Sequence, residues 1–166
     1  PSGKSWNACP GSKLCSDVGA AVGCYSFSND ASLLLPTTAL TGTYRRVGQK
    51  GWPMVQMPAY FAITGTQDGT KVTVKLTDKA TTVAGFGIPA ADKSVSYDLT
   101  IERGEVVEII GSPSSDLAGT LVKADKPVQV ISGMPCVNQP FDLQKAACDN
   151  IEESVFPAET FGKHYF

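Results

Sequence analysis

The residues best placed to do chemistry lie in "SGMPCVNQPFDLQKAACDNIEE", residues 132–153, where Cys136 and Cys148 bracket a loop and Asp149, Glu152 and Glu153 follow directly. Three chemistries suit such a set: a metal site, a thiol nucleophile with its neighbours, or a disulfide that staples a surface loop. A thiolate nucleophile needs a nearby base and an electropositive setting. The acids beside Cys148 raise a thiol's pKa instead, which argues against catalysis. A bridge between Cys136 and Cys148, with eleven residues between them, would stabilise by about 3 kcal/mol on the chain-entropy model. The staple is the simplest reading. Asp149, Asn150, Glu152 and Glu153, with Asp142 in the same loop, also offer the hard oxygens that calcium takes. Their spacing fits no EF-hand loop, and a solvated acidic turn is the alternative. As a glycosidase acid and base, Glu152 and Glu153 fail on geometry, because neighbours on a strand point to opposite faces.

The remaining thiols, Cys9, Cys15 and Cys24, share no C-x2-C spacing with the first two, and the single histidine is His164. A tetrahedral zinc site would therefore have to be almost all cysteine. A disulfide framework fits better. Cys9 and Cys15 can pair and leave Cys24 free, or Cys24 can take either partner; an odd thiol can pair with a cysteine beyond this stretch of chain. Disulfides persist in oxidising compartments, so the expected address is extracellular or cell-surface. A serine hydrolase is excluded, since Ser132 in "VISGM" lacks the G-x-S-x-G elbow and His164 is the sole histidine base. "AGFGIPAA" lacks the third Gly or the Lys of a nucleotide loop. No cofactor is implied beyond the calcium reading.

Fourteen Lys and Arg against sixteen Asp and Glu give a net charge of −2 without charge blocks, so nucleic acid and anionic membranes are not expected partners. No apolar run is long enough to span a bilayer, so direct membrane insertion is not expected. The start at Pro1 and the abrupt "FGKHYF" are read as those of a fragment of a longer protein. Among the aromatics Trp6, Tyr25, Tyr44, Trp52, Tyr60 and Tyr97, the loop "QKGWPM" makes Trp52 the best platform for a sugar ring or a partner's side chain. The alternative is that Trp52 caps the core. Arg45 and Arg46 fall on opposite faces if "TYRRV" is a strand, so at least one must be solvent-facing or paired.

The elements that must position these residues are strands. At 166 residues and 42% apolar content, the chain is about one domain with a real core. In "KVTVKL", Val72, Val74 and Leu76 take one face while Lys71, Thr73 and Lys75 take the other. The turn Gln67-Asp68-Gly69 and the run "PAYFAITG" predict a hairpin with it. "SVSYDLTI", "ERGE" and "VVEII" predict a second, and "GTLVKA" and "PVQVISG", separated by "DK", a third, with Pro127 at a strand start. "AVGCYSF", "SLLLPT" and "TYRRV" are shorter strand candidates. Helix is minor, confined to "FDLQKAACDN" and a turn in "IEESV" before Pro157. Many short strands with Gly, Pro, Asp and Ser turns predict an antiparallel β-sandwich or a related barrel. Residues 1–30 form an N-terminal Cys-containing, partly linker-like segment with a first strand, and residues 31–166 the sandwich module.

The ordered motifs "YFAITGTQDGTKVTV", "LTIERGEVVEIIGS", "DLAGTLVKADKPVQVISGMPCV" and "ACDNIEESVFPAETFGKHYF" resemble the IgG Fc-binding protein N-terminal domain family over roughly residues 31–166. The family occurs in secreted mucin-like animal proteins and in bacterial surface or secreted proteins. Met134, Asn150 and Phe161 depart from its pattern, so imidazole chemistry is not carried over to the first two positions. The resemblance implies an all-β extracellular domain for adhesion or ligand binding, without established catalysis and with neighbouring modules in the same chain. The expected function is a non-catalytic module that presents loops on a disulfide-pinned scaffold to a protein or glycan ligand. A structural spacer is the alternative, ahead of a calcium-dependent carbohydrate-binding or hydrolytic domain. The immunoglobulin interaction in the family's name is not carried over.

Overall fold

A computed structural model describes residues 31–137 and 149–162. It contains eight strands: β1 (Thr43–Arg45), β2 (Tyr60–Gly65), β3 (Thr70–Lys75), β4 (Ser96–Ile101), β5 (Val106–Ile110), β6 (Leu121–Ala124), β7 (Val128–Val137) and β8 (Asp149–Ser154). They form two four-stranded antiparallel sheets, one in the order β1-β6-β3-β4 and the other β5-β2-β7-β8. The only helical pieces among the described residues are the 3-10 turns Thr37–Ala39, Pro53–Val55 and Ala158–Thr160. The architecture is the expected all-β sandwich.

Alternation builds the core. Along β3 every second residue is buried, and β2 alternates in the same way. Tyr44, Val72, Val74 and Val122 from the first sheet join Phe61, Ile63, Ile109, Val128 and Val130 from the second in one cluster. Each such side chain contributes about 1.5–3 kcal/mol on burial. Tyr44 adds a tie between the sheets. Its hydroxyl donates to the Val128 carbonyl at 2.5 Å and accepts from the Thr41 N–H at 3.1 Å.

None of the three expected hairpins forms as a ladder. β2 and β3 lie in opposite sheets, as do β4 and β5, and β6 and β7. Each tight turn is an arch that carries the chain across the core. The period-2 pattern does not distinguish the two outcomes, because in both cases each flanking strand buries one face and wets the other. The arches lock one another at one end of the sandwich. Gly69 N–H donates to Glu102 Oε2 at 2.9 Å, Arg103 N–H to Asp68 Oδ1 at 3.0 Å, and Lys71 N–H to Asp125 Oδ1 at 2.9 Å. Lys126 Nζ closes the set on the Asp68 carbonyl. Gly69 and Gly104 supply the positive φ these turns need, at 60° and 78°.

Two smaller expectations also change. "IEESV" is the body of β8, with Ile151 opposite Met134 and Glu153 opposite Ser132, and the helical turn comes after Pro157 instead. Pairing with β7 overrides a weak local preference. "SLLLPT" is irregular, with Leu33 and Leu34 exposed. "AVGCYSF" and residues 141–148 of the helical candidate lie outside the described residues.

Candidate functional site: the loop end and the turn at Phe86

At the end opposite the arches, the registers bring together the start of β2, the end of β5 and the β7–β8 connection. Tyr60 faces Ile110 on one side and Gly133 on the other, and Gly133 faces Glu152. The segments 46–59, 76–95 and 111–120 therefore converge there. They are fastened by main-chain bonds: Gly51 N–H to the Ser115 carbonyl at 2.9 Å, Ser112 N–H to Thr81 at 3.1 Å and Asp116 N–H to Lys79 at 3.2 Å. Gly51 is required here, since a Cβ would come within 2.4 Å of the Pro113 carbonyl oxygen.

Trp52 sits in a short loop closed by its own N–H to the Met57 carbonyl at 2.7 Å and by Met57 N–H to Trp52 at 3.1 Å. Its side chain is half-buried and packs on the core cluster. The aromatic that stands clear of the surface is Phe86, with a relative exposure of 110%. Gly85 and Ile88 exchange both main-chain bonds, at 3.1 and 2.8 Å, around Phe86 and Gly87. Both central residues have positive φ, 46° and 85°, as a type I′ turn requires. Glycine adopts that geometry freely; phenylalanine is strained by about 1–2 kcal/mol. The surrounding segment "TTVAGFGIPAA" carries no charge. A Phe between two glycines was the available signal in "AGFGIPAA".

Beneath this end lies Arg46, only 1% exposed, while its neighbour Arg45 is exposed and donates to the Gly119 carbonyl at 3.1 Å. Arg46 Nη1 donates to the Gln49 carbonyl at 3.0 Å, and Nε and Nη2 have no partner. Burial pulls its pKa down to about 10, with the Asp116 carboxylate acting in the opposite direction. Ser132 is buried nearby against Gly48 and its hydroxyl is likewise unpartnered. Among the described residues no histidine stands beside it.

Of the cysteines, only Cys136 is described; it is half-buried near the end of β7 and disulfide-bonded. Cys9, Cys15, Cys24 and Cys148 lie outside the described residues, as do Asp142, His164, Trp6 and Tyr25. In β8, Glu152 meets the Tyr60 hydroxyl at 3.2 Å, while Glu153, next along the strand, is exposed. Among the described residues no group of three His, Cys, Asp or Glu side chains is close enough to hold a metal ion. No helix among them is long and apolar enough to cross a membrane.

A family model described as IgGFc binding protein matches residues 30–166. No curated protein and no solved structure matches the chain.

Proposed function

Because the chain belongs to the IgGFc binding protein family, a family of binding modules, we propose that it is a non-catalytic extracellular binding or adhesion module. Its rigid sandwich would hold the loop end toward a protein or glycan ligand, alongside neighbouring modules of the same chain. The observation that carries this reading is Phe86: a fully exposed ring kept at positive φ where glycine or asparagine would be unstrained. Strain retained at an exposed, uncharged tip is accounted for by recognition and not by folding. Trp52, half-buried beside its own loop, would add the exposed part of its ring to the same surface. The bond from Cys136 is assigned to Cys148, which would pin the β7–β8 connection against the sheet.

The test is a glycan and protein array, run with and without calcium, on the wild-type chain and on Phe86→Ser. Capture by wild type that weakens at least tenfold in the variant supports the reading. Silence on every arm points to a spacer module and overturns it. Peptide mapping without reductant that links residue 136 to any thiol other than 148 overturns the assigned pairing.

A further inference from the structure

Three buried polar side chains meet at the loop end of the core, and none has all its hydrogen bonds. Arg46 follows Tyr44 on the inward side of the first sheet and is 1% exposed. Thr120, fully buried, lies across from it and accepts from the Arg46 N–H at 2.9 Å through its carbonyl, so the two side chains share a face. Ser132 comes from the second sheet, in line with the inward-facing Val128, Val130 and Met134 of β7. Gly48 marks where the sheets' groups come together: the position a Cβ would take there lies 2.8 Å from Ser132 Oγ and 3.3 Å from Arg46 Nη2. The two atoms are therefore at most about 6 Å apart, a span that one atom bridges with two hydrogen bonds of about 3 Å.

The groups left over are donors. Arg46 Nε and Nη2, Thr120 Oγ1 and Ser132 Oγ have no partner; a guanidinium only donates, and each hydroxyl has a proton to give. Among the described residues no carboxylate pairs with Arg46, and Asp116, whose Oδ1 accepts from the Ala118 N–H at 2.9 Å, acts on it through its field alone. A charge taken out of water in this way is costly without an opposite charge close by.

We propose that Arg46, Ser132 and Thr120 bind a single monatomic anion, a halide such as chloride, between the two sheets. The anion accepts from all of these donors at once and offsets the buried guanidinium. A one-atom span selects a monatomic ion over a carboxylate or a phosphate. A water molecule fits the same span but leaves the charge unopposed, and the experiment separates the two.

Denaturant unfolding of the full chain, with sodium gluconate exchanged for sodium chloride at constant ionic strength, reads the site. An anion that binds only the folded chain, with a dissociation constant of about 0.1 M or tighter, raises the folding equilibrium constant at least about tenfold between about 0.01 M and about 1 M chloride. In gluconate alone Arg46→Met should be at least as stable as wild type, and chloride should remove that advantage by stabilising wild type. Ser132→Ala keeps the charge, so it should lose only part of the chloride response. General salt effects act equally on all three proteins and cancel in the comparison. Crystals grown in sodium bromide should show an anomalous peak within bonding reach of Arg46 Nη2 and Ser132 Oγ. Three results overturn the proposal: wild type equally stable in chloride and gluconate, a chloride response that Arg46→Met retains in full, or a water without anomalous signal at that position.

Discussion

The outer end of the Tyr60 ring lies directly over Gly133, so closely that a Cβ on Gly133 would fall 2.1 Å from Tyr60 Cζ and 2.3 Å from its Oη. The ring crosses β7 in this way to bring its hydroxyl to Glu152 on β8, 3.2 Å away. One glycine thus lets an aromatic bridge three strands, covering a main chain that has no side chain of its own. Gly133→Ala should cost about 1–3 kcal/mol through overpacking, read by denaturant unfolding. In a Tyr60→Ala background the same substitution should cost far less. Equal costs in both backgrounds would mean that the ring does not set the requirement for glycine.

Strand positions were legible in the sequence, whereas strand partners were not. Val72 and Val74, or Phe61 and Ile63, alternate strongly enough to fix which residues face inward. The pairing of β2 with β5 and β7 goes instead with turns that cross the core, and those arches are capped by side-chain oxygens of Glu102, Asp68 and Asp125 from residues distant in sequence. Nothing local distinguishes Asp125 as a latch from Asp125 as a solvated turn residue. Arg46 was half legible: alternation set it opposite Arg45, but its near-complete burial follows from three converging loops. Phe86 carried its signal in the flanking glycines, which read as a failed phosphate loop until the main-chain bonds between Gly85 and Ile88 defined the turn.

The latches themselves make a measurable contribution. Asp125 Oδ1 accepts from the Lys71 N–H at 2.9 Å, and the Asp125 N–H donates to the Lys71 carbonyl at 3.0 Å, joining the third arch to the first. Asp125→Ala removes the side-chain bond and should cost about 1 kcal/mol. Amide exchange at Lys71 should accelerate with it, while the amide of Val74, deep in the sheet, keeps its protection. Uniform loss of protection would show that the latch is not local.

Arg46 is dehydrated without full compensation, and each unpaired buried donor costs on the order of 1–3 kcal/mol. Arg46→Met keeps most of the volume and removes the charge, so stability should hold or rise by up to about 2 kcal/mol. Arg46→Ala removes the volume as well and should lose about 2–4 kcal/mol. Denaturation midpoints at neutral pH decide the matter. If methionine destabilises as much as alanine, the guanidinium makes a net favourable contribution that its bond to Gln49 and the Asp116 field do not account for.

Alkaline pH should act through two tyrosines. Burial pushes the Tyr97 phenol up to about 12 and raises Tyr44 in the same direction, from an ordinary value of 10.0. Above pH 10 the unfolded chain releases protons that the folded chain keeps, so the stability contributed by these groups is fully present below pH 10 and falls as pH rises toward 12. Phenolate absorbance of the native protein should show two late-titrating groups, which appear together with loss of the sandwich's circular dichroism. Tyr97→Phe should remove one of them. A native titration curve that superimposes on that of the urea-unfolded chain would refute the burial effect.

Phe86 offers the sharpest separation of stability from function. Asparagine at this position would create Asn-Gly, the pair that type I′ turns favour, because asparagine tolerates positive φ and hydrogen-bonds locally. No packing is lost in the exchange, since the phenylalanine ring is fully exposed. Phe86→Asn should therefore stabilise the chain by about 1 kcal/mol and raise its melting temperature. The same change removes the ring that the proposed ligand would contact, so capture on the array should fall at least tenfold in a protein that is better folded. A variant that gains stability and keeps full binding would show that the strained ring has no part in recognition, and a variant that loses stability would mean that the ring packs against the fold in solution.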